Sequence, residues 1–145
     1  MKIKLLIASD HGGFALKEDL IQTLASTCES ITDLGVHENT SVNYPDFAHI
    51  LCNNVLKEEH ALGILVCGTG IGMSMAANRH KGIRAALCTD PYMARMARAH
   101  NDANVLCLGG RVIGLALAEE IAKTFLKSTF EGGRHAARVE KIDLS

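Results

Sequence analysis

Short strand-like runs, most of them apolar, alternate with helix-patterned segments five times, and no other feature of the chain limits its fold so tightly. The runs are Ile3–Ala8, Ser30–Leu34, Ile64–Cys67, Ile83–Cys88 and Asn104–Leu108. Ile64–Cys67 carries no polar residue, as expected of a strand covered on both faces. Between the runs, Phe14, Leu16, Leu20, Ile21 and Leu24 recur at helical spacing. Tyr44-Pro45-Asp46 and Thr89-Asp90-Pro91 each put a proline into the first turn of a helix. Met73 to about Arg79 reads as a short helix, and Val112–Leu126 as a long one with Leu117, Ile121 and Phe125 on one side. This alternation predicts an α/β fold, a five-stranded parallel sheet with helices on both faces. The 145 residues suit one domain, 1–145.

In such a sheet, ligands gather at the carboxyl ends of the strands. The polar residues obey this rule. Asp10 and His11 follow the first run, Thr89-Asp90 the fourth, and Gly68-Thr69-Gly70-Ile71-Gly72 the third. The three alternating glycines let backbone N–H groups approach a ligand with no Cβ in the way. A turn of this kind opening a helix suits an anion. A dinucleotide fingerprint fits badly, because Met73 stands where its last glycine belongs and the turn follows the third strand. No Gly-Lys-Ser/Thr follows, which excludes a Walker A loop. A site for one phosphate, carboxylate or oxyanion remains, as does a tight turn with no ligand. Cys67 read alone is a small buried hydrophobe. Its place at a strand's carboxyl end, before that turn, points instead to a reactive thiol.

Other functions are excluded by composition. The formal net charge is −1 and no basic block occurs, which argues against nucleic acid as a partner. No apolar run approaches a membrane span or a signal peptide. Five cysteines, an odd number with no C-x-x-C pair, match neither a disulfide framework nor a zinc site, and they fit a reducing, cytoplasmic setting. His37, His49, His60 and His80 read as solvated surface. His100-Asn101-Asp102 falls between the fourth helix and the fifth strand, at the strands' amino ends. It is therefore at the wrong edge to join Cys67 within one subunit, so His100 is either structural or serves a second subunit's site. Arg134 and Arg138 sit four apart on a helical turn and face one way. Such a pair grips a phosphate well, although a solvated basic tail is the commoner case.

Taken in order, Ser9-Asp10-His11-Gly12-Gly13, Tyr44-Pro45, Cys67 to Gly72, Ala76-Ala77-Asn78, Gly82-Ile83-Arg84-Ala85, His100-Asn101-Asp102, Gly110-Arg111-Val112 and Glu131-Gly132-Gly133-Arg134-His135 resemble the type B ribose-5-phosphate isomerases. The family also holds galactose-6-phosphate isomerase subunits. The resemblance runs nearly end to end. It implies a Rossmann-like α/β/α sandwich and a homodimer, or dimer of dimers, with no metal or cofactor. It places each active site between subunits. One subunit supplies Asp10, His11, Tyr44, Cys67 and the glycine turn; the other supplies His100, Asn101 and the arginines, with the 129–145 tail packed on its partner. One branch of the family has a glutamate base where this chain has Met73, so Cys67 places the chain in the cysteine branch.

The resemblance further implies the interconversion of D-ribose 5-phosphate and D-ribulose 5-phosphate, a step of the pentose phosphate pathway. His100 would protonate the ring oxygen, and Asp10 would hold a sugar hydroxyl or take its proton. Cys67, with Thr69 beside it, would carry the C2 proton to C1 through a cis-enediolate. Backbone N–H groups of Gly68, Thr69, Gly70, Ile71 and Gly72 would face the enediolate oxygen. His11, Arg111, Arg134 and Arg138 would hold the phosphate. A hexose 6-phosphate isomerase and a non-catalytic sugar-phosphate sensor are the alternatives; a sensor has no use for a poised thiolate.

Overall fold

In the computed structural model, residues 3–144 are described; Met1, Lys2 and Ser145, the ends of the predicted 1–145 span, lie outside them. The five runs become β1 (Lys4–Ser9), β2 (Ser30–Asp33), β3 (Ala61–Cys67), β4 (Ala85–Leu87) and β5 (Val105–Gly109). All pair in parallel in the order β2-β1-β3-β5-β4. The helices are α1 (Phe14–Leu24), α2 (Tyr44–Lys57), α3 (Ile71–Ala77), α4 (Pro91–Ala99), α5 (Leu115–Lys127) and α6 (Arg134–Glu140), with a 3-10 turn at His11–Gly13.

Strand side chains alternate between faces, and the two cores follow this period of two. Leu5, Ile7, Ile64, Val66, Leu106 and Leu108 pack with α1, α4 and α5 on one side. Leu6, Ala8, Leu65, Cys67, Val105 and Cys107 pack with α2 and α3 on the other. The result is the predicted three-layer α/β/α sandwich. The chain leaves β1 toward β2 but leaves β3 toward β5 and β4, so β1 and β3 flank the point where the winding reverses. A crevice opens outside the carboxyl ends of strands at such a point.

Three departures from the sequence reading have local causes. The fifth helix begins at Leu115 rather than Val112, because Arg111 N donates to Gly68 O at 3.0 Å and draws the preceding turn onto the glycine loop. The third begins at Ile71, two residues before Met73, and stops at Ala77. There Asn78 leaves the helix to brace edge strand β4, donating to Ala85 O at 3.0 Å and accepting from Ala85 N at 2.8 Å. His49 and His80, read as solvated, are half-buried and joined nitrogen to nitrogen at 2.7 Å, tying α2 to the end of α3.

One buried cation has no signal in the sequence. Lys17 lies on α1 with 0% exposure, and its Nζ donates to Asp33 Oδ2 at 2.8 Å and Glu18 Oε1 at 3.0 Å. Asp33 also accepts Gly35 N at 2.9 Å, and Gly35 O accepts Ser9 N at 2.8 Å. The pair thus steadies the carboxyl end of β1, where Asp10 begins.

Candidate active site

At the carboxyl ends of β1 and β3 two loops meet backbone to backbone. A Cβ on Gly12 would lie 3.1 Å from Gly68 N, so the Asp10–Gly13 turn and the glycine turn touch. Asp10 is buried and its Oδ1 accepts Gly13 N at 3.2 Å. His11 is held by Val42 N, which donates to its Nδ1 at 3.3 Å.

Gly70 has φ +83°, left-handed backbone that a side chain would strain, and a Cβ there would stand 2.7 Å from Leu87 Cδ1. This conformation turns Gly70 N back onto the end of β3, where it donates to Cys67 Sγ at 3.1 Å. Cys67 is 5% exposed, and the contact strengthens when its sulfur carries charge. With only seven residues, α3 is a short helix, so the donor that reaches the sulfur is one N–H rather than a long helix dipole. Thr69 Oγ1 accepts Ile71 N at 3.2 Å, fixing the turn's outer corner. At Gly72 a Cβ would collide with the Tyr44 ring at 2.5 Å, so that ring closes over the start of α3.

The other four cysteines are held as thiols. Burial pushes the Cys52 thiol up to about 12 and, with Asp90 adding, the Cys88 thiol to about 11. Cys107 is raised well above its ordinary value, first by burial and then by neighbouring thiols, and burial raises Cys28. These remain protonated at neutral pH and serve packing.

Arg111 belongs to the same half. Its Nη1 lies 3.3 Å from where a Gly68 Cβ would be, so its guanidinium covers the glycine turn of its own chain, apart from Arg134 and Arg138.

His100 and Asn101 are at the opposite edge, as expected. Cys67 pairs in register with Gly109, so the whole of β5 separates them from it. They line a cleft of about 320 Å³ with His135, Arg138 and Val139. The tail is docked here: Glu131 N donates to Ala99 O at 3.0 Å, and the His100 and His135 rings stack with centroids 4.2 Å apart. Arg134 and Arg138 extend from α6 beside them. The predicted residues therefore form two groups in one chain, at opposite edges of the sheet. Glu131 and His135 were singled out in the sequence only as part of a motif; nothing in their spacing from His100 signals the contact. A separate cleft of about 690 Å³ at the same edge, lined by Ile3, Leu62, Arg98 and Leu126 among others, holds none of the predicted residues.

One trio among the described residues could offer three ligand atoms to a metal ion. His100, Glu131 and His135 place them within 4.8 Å of one another. Arg134 and Arg138 on the same short helix oppose a cation there. No helix among the described residues is long and apolar enough to cross a membrane.

Known proteins are similar to this chain in sequence and in fold. The sequence pattern of the Ribose/Galactose Isomerase family matches residues 5–142. Ribose-5-phosphate isomerase B of Escherichia coli is 43% identical over 139 residues, covering 96% of this chain and 93% of its own. The crystal structure of a ribose 5-phosphate isomerase from Thermotoga maritima superposes with a TM-score of 0.95 at 51% identity, covering 99% of both chains. Ribose-5-phosphate isomerase B from Clostridium thermocellum superposes at 0.93 with 53% identity, covering 96% of this chain and 94% of its own.

Proposed function

Because the chain belongs to the ribose/galactose isomerase family, we propose that Cys67 is the base of an aldose–ketose isomerisation in a site completed by a second copy of the chain. The reaction is the interconversion of D-ribose 5-phosphate and D-ribulose 5-phosphate. It begins from a closed furanose. His100 of one protomer gives a proton to the ring oxygen, the bond from that oxygen to C1 breaks, and Asp10 of the other takes the proton of the C1 hydroxyl. The Cys67 thiolate then removes the C2 proton and delivers it to C1. The O2 proton passes to O1 as the cis-enediolate resolves to the ketose.

What carries this reading is the Gly70 N–H aimed at Cys67 Sγ at 3.1 Å, on the turn at the carboxyl end of β3. Thiolates are the reactive form of cysteine, and a fixed donor favours them. Donors of the glycine turn stabilise the enediolate oxygen; losing one such donor typically costs on the order of 10²–10³ in rate. His11 and Arg111 from one protomer and Arg134 and Arg138 from the other grip the phosphate. That grip sets C1 and C2 against the sulfur, so binding supports turnover as well as affinity. The separation of the two groups across the sheet supports a homodimer, or dimer of dimers. Five free cysteines suit the reducing cytoplasm.

Ribose 5-phosphate turned over in deuterated water tests the base. Deuterium at C1 of the ribulose 5-phosphate, lost together with activity in Cys67→Ala, is the expected result. Full activity in Cys67→Ala removes the assignment.

A further inference from the structure

His100 does not stand free at the end of α4. Its ring lies parallel to that of His135, 12° between planes and 4.2 Å between centroids. Glu131 Oε1 approaches both rings, 3.7 Å from His100 Nε2 and 3.6 Å from His135 Nε2. The backbone fixes this group from both sides. His100 N donates to Met96 O at 2.9 Å, Glu131 N donates to Ala99 O at 3.0 Å, and His135 N donates to Gly132 O at 3.0 Å. His135 is 8% exposed, whereas the His100 side chain keeps 38% of its surface open. The buried ring is thus a wall, and the open ring is the one that can meet a substrate.

We propose that Glu131 and His135 are positioning residues for His100: the stacked ring fixes the plane of its imidazole, and the shared carboxylate balances the charge it carries while it holds a proton. Burial lowers the His135 pKa, and His100, Arg134 and Arg138 lower it further against the pull of Glu131. His135 is therefore uncharged at neutral pH, and the Glu131 carboxylate is left to His100. An orienting partner of this kind is a recurrent way to aim an imidazole. The inference rests on the reading of His100 as the ring-opening acid, and its test separates the two.

Ribulose 5-phosphate has no furanose to open, because its 5-oxygen carries the phosphate. Exchange of its C1 hydrogen with deuterated water therefore reports proton transfer at Cys67 without ring opening, whereas turnover of ribose 5-phosphate also needs the ring-opening acid. Glu131→Gln and His135→Ala should each slow ribose 5-phosphate turnover about tenfold, the lower end for an orienting partner, with KM within about twofold. The exchange should continue at its original rate. His135→Phe, which keeps a flat ring, and Glu131→Asp, which keeps the charge, should recover most of the loss. In a His100→Ala background, Glu131→Gln should cost nothing more. A further loss in that background, or equal losses in turnover and exchange, overturns the positioning role, as does a rise in KM alone. If His100→Ala itself slows exchange as much as turnover, its ring-opening role fails, while the double variant still decides whether Glu131 acts through it.

Discussion

Cys67 is distinguished from the other four cysteines by what surrounds its sulfur. Cys52, Cys88 and Cys107 are enclosed by apolar side chains that hold them as thiols, whereas Cys67 receives an N–H from a turn at the ligand edge. Cys67→Ala should lower kcat by on the order of 10³, within the range for losing a positioned base, and leave inorganic phosphate binding unchanged by calorimetry. Arg138→Ala should instead raise KM at least about tenfold, the size of a lost charge-assisted contact, with a smaller change in kcat. An unchanged KM takes Arg138 out of the phosphate site. Single residues at strand ends were legible in the sequence because position and chemistry coincide there: Asp10, His11, Cys67 and the glycines all follow apolar runs. The stack of His100 on His135 was not legible, since it joins a helix end to a tail more than thirty residues on, and no periodicity spans that distance.

At the scale of elements, the turn between β3 and α3 does most to shape the site. Gly70→Ala would force a side chain into left-handed backbone and against Leu87, and should destabilise by about 1–3 kcal/mol in urea unfolding while removing most activity. The α1–β2 contact is the second sensitive point. Asp33→Ala leaves the buried Lys17 ammonium with Glu18 alone and should cost about 3 kcal/mol. Lys17→Met should cost less, because Asp33 keeps 27% of its side-chain surface in water. The reverse order of these two in thermal melts would contradict the account of a desolvated cation. All five strands and the layers were readable; β1, β3 and β5 declare themselves by continuous apolar residues, as buried strands do, whereas the more exposed β2 carries Ser30, Thr32 and Asp33. Helix ends were less so. Val112 and Ile113 look helical by composition, but Arg111 N is committed to Gly68 O, a long-range bond that local pattern does not encode.

For the whole molecule, two histidines couple folding to pH. His80 is lowered from its ordinary 6.5 by burial and by His49, and His135 by burial and by His100 with the two arginines. In the unfolded chain both take up protons at higher pH than in the folded one. Stability should therefore be greatest above about pH 6.5 and fall as the pH drops below it, a slope that His80→Gln with His135→Gln flattens in denaturant titrations. No flattening removes these histidines as the cause. In the proposed assembly, Cys67 of one chain works with His100 of another. Co-refolding equal amounts of Cys67→Ala and His100→Ala tests it most directly. In a two-fold dimer, random pairing makes half the dimers mixed, each with one intact site of two, so the mixture should regain about one quarter of the native activity from two inactive parents. A mixture that forms hybrid dimers yet stays as inactive as its parents would contradict the shared site.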